Sequence, residues 1–330
     1  MPPLLEVQDL QINFHTDRGV VPAVRGVSFS IKKGRTLGVV GESGCGKSVT
    51  AMALMRLVRE PGKIAGGKVL LDRGGRQVDL AAMEPMSSDI RAIRGNDIAM
   101  IFQEPMTALN PVHTIGRQIM EPIMLHRGLT KPEARKQAID MLGAVGISSP
   151  ETRIDSFPHE LSGGMRQRAM IAMALSCSPS LLIADEPTTA LDVTIQAQVL
   201  RLMNDLRCQM GSSIIFITHD LGVIAQMTDD VIVMYLGRVV EKASVESLFK
   251  NPKHPYTQGL MNSIPSIAVD RDRRLQPIKG AVPNPMSVTQ GCGFASRCPH
   301  VMSKCTAVEP PLTGAREGHE VACWLHEGEC

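Results

Sequence analysis

The first thirty or so residues alternate apolar and polar positions in the manner of strands: Leu5 and Val7, then Leu10, Ile12 and Phe14, then Val24, and Val27, Phe29 and Ile31. Residues 35–40 form a short apolar run that stops at Gly41, the mark of a buried strand. From Lys47 to about Val58 the period turns helical. Residues 98–102 predict another buried strand, 114–127 and 131–145 predict helices, and 164–177 predicts a third. Residues 181–184 and 214–217 predict two more short strands, with a helix over 193–210 between them. Strands that alternate with helices imply a largely parallel sheet flanked by helices, an α/β fold.

The texture changes near residue 250. Residues 251–330 carry nine of the 22 prolines, and five of the eight cysteines fall in the last 39 positions. The stretch 264–290 has little periodicity. The reading is therefore a main domain over 1–250 and a small irregular, cysteine-rich extension over 251–330. The chain is long enough to bury a large core without disulfides.

Charge narrows the function. Lys and Arg number 35 against 33 Asp and Glu, and aromatics are 3% of the chain. A balanced charge gives no electrostatic footprint for nucleic acid, and so few aromatics give no stacking platform. The N-terminus lacks a basic stretch followed by an apolar core, so no signal peptide is expected. No apolar run approaches the roughly 18 residues of a membrane helix.

The chemistry concentrates in two segments. Gly41-Glu42-Ser43-Gly44-Cys45-Gly46-Lys47-Ser48, followed by Val49, fits the phosphate-binding loop G-x-x-x-x-G-K-[ST], and it lies between a predicted strand and a predicted helix. Such glycines let amide N–H groups surround phosphate oxygens at a helix N-terminus. Lys47 is placed for the β- and γ-phosphates, and Ser48 for Mg²⁺. Cys45 offers its backbone N–H, and alkylation of its thiol would block ATP. The second segment is the apolar strand ending in Asp185-Glu186. Asp185 is placed to hold Mg²⁺ and Glu186 to polarise the attacking water.

Leu161-Ser162-Gly163-Gly164-Met165-Arg166-Gln167 precedes a predicted helix shortly before that strand. Alone, Ser-Gly-Gly reads as a helix cap. With the phosphate loop and the Asp-Glu strand, it resembles the signature of ATP-binding cassette (ABC) ATPases. Gln103 resembles their Q-loop glutamine, Ala190-Leu191-Asp192 their D-loop, and His219 their switch histidine. The resemblance covers roughly residues 4–250. It implies a RecA-like core with a β-subdomain, and a helical subdomain over about 104–160 that grips a membrane partner. It implies Mg²⁺ held through Ser48, Gln103 and Asp185, and ATP sandwiched between two subunits. Leu161, Ser162, Gly163, Gly164 and Gln167 of one subunit would then close on the ATP held by the other. Gln103 and His219 would serve with Glu186 in hydrolysis. Cassette ATPases stack adenine on an aromatic upstream of the phosphate loop. Val20-Val21-Pro22 has none there, and Phe14 lies in a strand-like run, so a mostly aliphatic contact is expected.

His254-Pro255-Tyr256-Thr257-Gln258-Gly259-Leu260 is similar to the tail motif of the peptide/nickel/opine importer ATPases, and so are residues 102–111 and 185–194. By itself His-Pro-Tyr would be a helix start with Pro in the first turn. The resemblance implies an ATPase subunit of a di- or oligopeptide importer. Its partners would be a second, related ATPase subunit in a heterodimer, two integral-membrane permeases and an extracytoplasmic substrate-binding protein. It would sit peripherally on the cytoplasmic face of the inner membrane. Nickel, glutathione and opines are alternative cargoes. A soluble cassette ATPase acting on nucleic acid or ribosomes is the alternative of another class, disfavoured by the balanced charge and the lack of a coiled-coil insertion.

Cys292, Cys298, Cys305 and Cys323 are separated by five, six and seventeen residues, unlike the paired C-x₂-C of common zinc sites. Some members of the resembled subgroup carry a [4Fe–4S] cluster on four tail cysteines. Four thiolates can hold a cubane cluster or a Zn²⁺, and unmetallated thiols remain the third reading. His300, His319 and His326 are possible substitute ligands, and the terminal Cys330 is a bystander. Met165, Met170 and Met173 read as core filler, and the basic run from Arg271 to Arg274 as a solvated face.

Overall fold

The computed structural model describes residues 2–103, 108–189, 192–263, 278–287, 290–316 and 318–328. The alternation at the N-terminus becomes a long hairpin, β1 (Leu5–Thr16) and β2 (Gly19–Ile31). Its second partner is a pair of strands absent from the sequence reading, β4 (Gly62–Arg73) and β5 (Arg76–Asp79). Together they form a four-stranded antiparallel sheet in the order β2-β1-β4-β5. The glycines and lysines of residues 62–68 hide the strand pattern of β4.

The central sheet has eight strands. Five of them follow short apolar runs: β3 (Thr36–Val40), β6 (Ile98–Ile101), β7 (Leu181–Asp185), β8 (Ser213–Ile217) and β9 (Asp230–Tyr235). They pair in parallel in the order β9-β3-β8-β7-β6. Nearly every residue in them is buried, as expected of strands covered on both faces. Strand β10 (Arg238–Ser244) then turns back antiparallel on β9.

The predicted helices form close to their expected limits. α1 spans Lys47–Leu54, shorter than expected, and α2 spans Ser88–Ile93. Between the Q-loop and signature positions lie α3 (Ile115–Arg127), α4 (Lys131–Ala144) and a single turn, α5 (Pro150–Arg153). Thr114 and Thr130 cap α3 and α4, the latter with a capping box to Glu133. Arg135 and Asp155 join α4 to the chain after α5 through two hydrogen bonds of 2.8 and 2.7 Å. The signature helix α6 (Gly163–Leu175) and α7 (Val193–Met210) pack on the same core. Met170 is buried within it, with Met165 and Met173 against its edge. Among the described residues no helix is long and apolar enough to cross a membrane.

The extension is more regular than its sequence suggests. After α8 (Leu221–Met227) and α9 (Val245–Lys250), α10 (Pro255–Asn262) begins at His254, whose ring accepts the Tyr256 N–H at 3.0 Å. Beyond a short α11 (Ser303–Ala307), strands β11 (Thr313–Arg316) and β12 (His319–Val321) extend the central sheet past β10. The fully buried Glu241 on β10 holds this region. It accepts the backbone N–H of Lys253 (2.6 Å) and His254 (2.9 Å) and faces His319 Nε2 at 2.6 Å. Burial works to raise the Glu241 pKa, but the hydrogen bonds from His319 and these amides prevail and lower it. Burial drives the His254 ring down to about 4, so it is neutral at physiological pH. Tyr256 and Phe294 join the main core, with Ile278, Cys292 and Cys298 packed at its margin. The run 271–274 and Cys330 lie outside the described residues.

Candidate nucleotide and cysteine sites

The parallel strands deliver three loops to one edge of the central sheet. The phosphate loop follows β3, Asp185-Glu186 ends β7, and His219 follows β8. This is where open α/β sheets bind ligands. Two glycines are required by close approach. A Cβ on Gly41 would lie 2.2 Å from the Met234 carbonyl oxygen. Gly46, at φ 97°, caps α1 in the left-handed region, and its Cβ would fall 2.5 Å from the Ala23 carbonyl.

Lys47 is buried, and its ammonium donates to the carbonyls of Gly41 (2.7 Å) and Glu42 (3.1 Å). The charge is thus held inside the loop where phosphate oxygens would arrive. Ser48 Oγ donates to Asp185 Oδ1 at 3.1 Å, bringing together the hydroxyl and carboxylate expected to share Mg²⁺. Burial raises the Asp185 pKa, and the neighbouring Glu186 charge adds to it. A divalent cation there would reverse that cost.

Glu186 gathers the remaining side chains. Its Oε1 is 3.1 Å from His219 Nδ1, and its Oε2 accepts from Gln103 Nε2 (3.0 Å) and Thr189 Oγ1 (2.9 Å). Burial alone would raise its pKa, but His219, Thr189 and the Lys47 charge outweigh it, so the pKa is lowered and the carboxylate stays ionised at neutral pH. The Glu186 backbone sits at φ 47°, a conformation rare for a residue with a side chain and common at functional sites. Thr189 lies in the stretch 185–194 that is similar to the importer ATPases, but the sequence assigns it no role at the site. A threonine in a turn after a strand carries no signal of its own.

The signature residues divide. Ser162 caps α6 by accepting the Met165 N–H at 3.3 Å. A Cβ on Gly163 would meet nothing within 4 Å, and on Gly164 only Ile195 at 3.5 Å. The open surface suits the close approach of another molecule. Leu161 and Gln167 face inward instead, 3% and 1% exposed. The Gln167 amide donates to the Pro187 carbonyl, tying α6 to the loop after β7. Asp192 caps α7 through the Ile195 N–H, while Ala190 and Leu191 lie outside the described residues.

One expectation changes. Cys45 is 2% exposed, and burial raises its thiol pKa against the pull of Lys47. It is therefore a covered, protonated thiol rather than an alkylation target. Phe14 pairs with Val21 across the hairpin, in the strand expected for it, with its ring edge against Gly62.

The four tail cysteines are free thiols that line one pocket with His254, Phe294, His300 and Trp324. Cys292 and Cys305 are joined by a 2.7 Å backbone hydrogen bond. Burial, reinforced by the other three thiols, pushes the Cys292 pKa up to about 11. Cys298 and Cys323 are also raised, chiefly by burial. Among the described residues, however, no three His, Cys, Asp or Glu side chains are grouped so as to hold a metal ion. His319 is committed to Glu241, and His326 Nε2 lies 3.1 Å from the Lys253 carbonyl, which leaves His300 beside the thiols.

Comparison with known proteins agrees with this geometry. Residues 24–189 match the ABC transporter family, and residues 240–305 match the oligopeptide/dipeptide transporter C-terminal region. The chain is 53% identical over 322 residues to y4tR of Sinorhizobium fredii, named "Probable peptide ABC transporter ATP-binding protein", covering 97% of this chain and 94% of that one. It is 52% identical over 330 residues to the oligopeptide transport ATP-binding protein AppD of Bacillus subtilis, covering 100% and 98%. Among solved structures it resembles the dimeric ATP-binding cassette MJ0796 in a post-hydrolysis state bound to ADP and Pi. That match has a TM-score of 0.64 at 25% identity, over 73% of this chain and 98% of the other. Phosphate loop, Asp-Glu strand, signature helix and tail together make the chain a member of the ABC transporter family, among the ATP-binding proteins of oligopeptide and dipeptide transporters.

Proposed function

We propose that this chain is the ATP-hydrolysing subunit that energises import of di- or oligopeptides through partner permeases. The convergence of Gln103, Thr189 and His219 on Glu186, beside Lys47 and the Ser48–Asp185 pair, carries this reading. Gly41 to Val49 would bind the triphosphate, with Lys47 at its β- and γ-phosphates and Ser48, Asp185 and Gln103 on Mg²⁺. Glu186 would accept the proton of the attacking water, and His219 and Gln103 would orient water and γ-phosphate. The exposed Ser162-Gly163-Gly164 helix start would close over ATP held by a second ATPase subunit, with Asp192 at the same junction. A related but different chain is favoured as that second subunit. ATP-driven closure and hydrolytic opening would move the permeases through helices α3 to α5, within residues 104–160. This division of labour gives 1–250 to the ATPase and 251–330 to an extension that braces it. The site then belongs on the cytoplasmic face of the membrane. Affinity purification in mild detergent should recover integral-membrane subunits. Recovery of ribosomal or nucleic-acid partners instead would favour the alternative cassette class.

The tail thiols are read as the seat of a [4Fe–4S] cluster. Four cysteines lining one pocket support it. The lack of a tight metal-binding grouping among the described residues bears on Zn²⁺ and on a cluster alike, so metal content decides between them. Protein purified without oxygen should contain about four irons and matching sulfide per chain, with broad absorption near 400 nm. Stoichiometric zinc, or neither metal, would overturn the cluster assignment.

A further inference from the structure

Glu42 is an odd residue for a loop that collects phosphate, because its carboxylate opposes an anionic ligand. The structure shows where that charge goes. Arg297, one residue before Cys298, makes a two-pronged ion pair with it, at 2.6 Å and 3.1 Å. The guanidinium side chain is only 4% exposed, and that of Glu42 is 29% exposed. Arg297 also donates to the Tyr235 hydroxyl (3.3 Å) and the Lys279 carbonyl (3.2 Å), with Tyr235 and Phe294 rings each 5.8 Å from its centre. The Glu42 backbone is held from the same side, its N–H donating to the Tyr256 hydroxyl at 2.7 Å. The Tyr256 ring lies tilted against those of Tyr235 and Phe294, which meet edge-on, with centroids 4.6 to 5.5 Å apart. Main chain and side chain of one phosphate-loop residue are thus gripped by the extension.

We propose that Arg297 is a positioning residue for nucleotide binding: it cancels the Glu42 carboxylate and holds it away from the phosphates, so the extension sets part of the cassette's affinity for ATP. A paired charge presents far less repulsion to an incoming anion than a bare one. The fixed, planar guanidinium suits this two-pronged hold better than an ammonium would. The proposal rests on the nucleotide site described above, and Lys47→Ala tests that site separately.

The test is a charge-suppression series in the full-length protein, read by binding of the fluorescent analogue TNP-ATP with Mg²⁺. Arg297→Ala should weaken binding about three- to tenfold, the range of a partly exposed, two-pronged pair. Its deficit should shrink as NaCl rises from about 0.05 M to about 0.5 M, because screening removes the unmasked repulsion. Arg297→Lys should fall between wild type and Arg297→Ala. Adding Glu42→Gln to Arg297→Ala should restore most of the affinity, since no carboxylate is left to mask. In the assembled transporter Arg297→Ala should raise KM for ATP and leave kcat within about twofold. Unchanged affinity in Arg297→Ala, or no recovery in the double variant, would overturn the proposal. The second result would mean that the arginine acts by packing alone.

Discussion

Glu186→Gln retains ATP but loses turnover by about 10²- to 10⁴-fold, the usual contribution of a positioned general base. The geometry argues for this size of effect. Three neighbours converge on one carboxylate, and their hydrogen bonds keep it ionised against its own burial. Glutamine preserves the shape and can still bond to Gln103 and Thr189, but its amide cannot take a proton from water. Because the Glu186 pKa is lowered in the folded chain, the wild-type base is lost only as pH falls into or below the ordinary carboxylate range. ATP binding measured beside steady-state phosphate release checks this. A variant that hydrolyses at near wild-type rate would remove Glu186 from the role of base.

Lys47→Ala should fail earlier, at binding. Its ammonium is buried and satisfied by two loop carbonyls in place of phosphate. Hydrogen bonds to charged groups contribute about 1.5–3 kcal/mol, so affinity should fall about 10- to 100-fold. Titration calorimetry with ATP and Mg²⁺ reads this directly, and unchanged affinity would contradict the placement. The two variants separate the loop that holds ATP from the carboxylate that spends it.

How much of this was legible in the sequence depends on how local each signal is. The phosphate loop, the Asp-Glu strand and the helices 115–127, 131–144 and 193–210 are fixed by neighbours in sequence, through period, glycines and caps. The β4–β5 hairpin was missed because glycine and lysine interrupt its alternation, and its stability comes from pairing with β1. Strands β11 and β12 were missed for a similar reason. Three or four residues have no pattern of their own, and β12 exists by pairing with β10 and anchoring His319 on Glu241. The Glu42–Arg297 pair spans 255 positions, a separation no local motif encodes. Tyr256 stood in the quoted tail motif, yet its bond to the Glu42 amide emerged only in three dimensions. Gln167 shows the converse, a motif residue whose side chain turns inward and bonds the Pro187 carbonyl, a contact the motif does not announce.

The most direct test of the account is ATP-driven uptake of a labelled di- or oligopeptide. Proteoliposomes would carry the assembled transporter and its substrate-binding protein, with either wild-type subunit or Glu186→Gln. The account predicts peptide accumulation with the wild-type subunit and Mg²⁺-ATP, and none with Glu186→Gln despite retained nucleotide. Accumulation sustained by Glu186→Gln, or ATP hydrolysis by the wild type with no peptide moved, would contradict it.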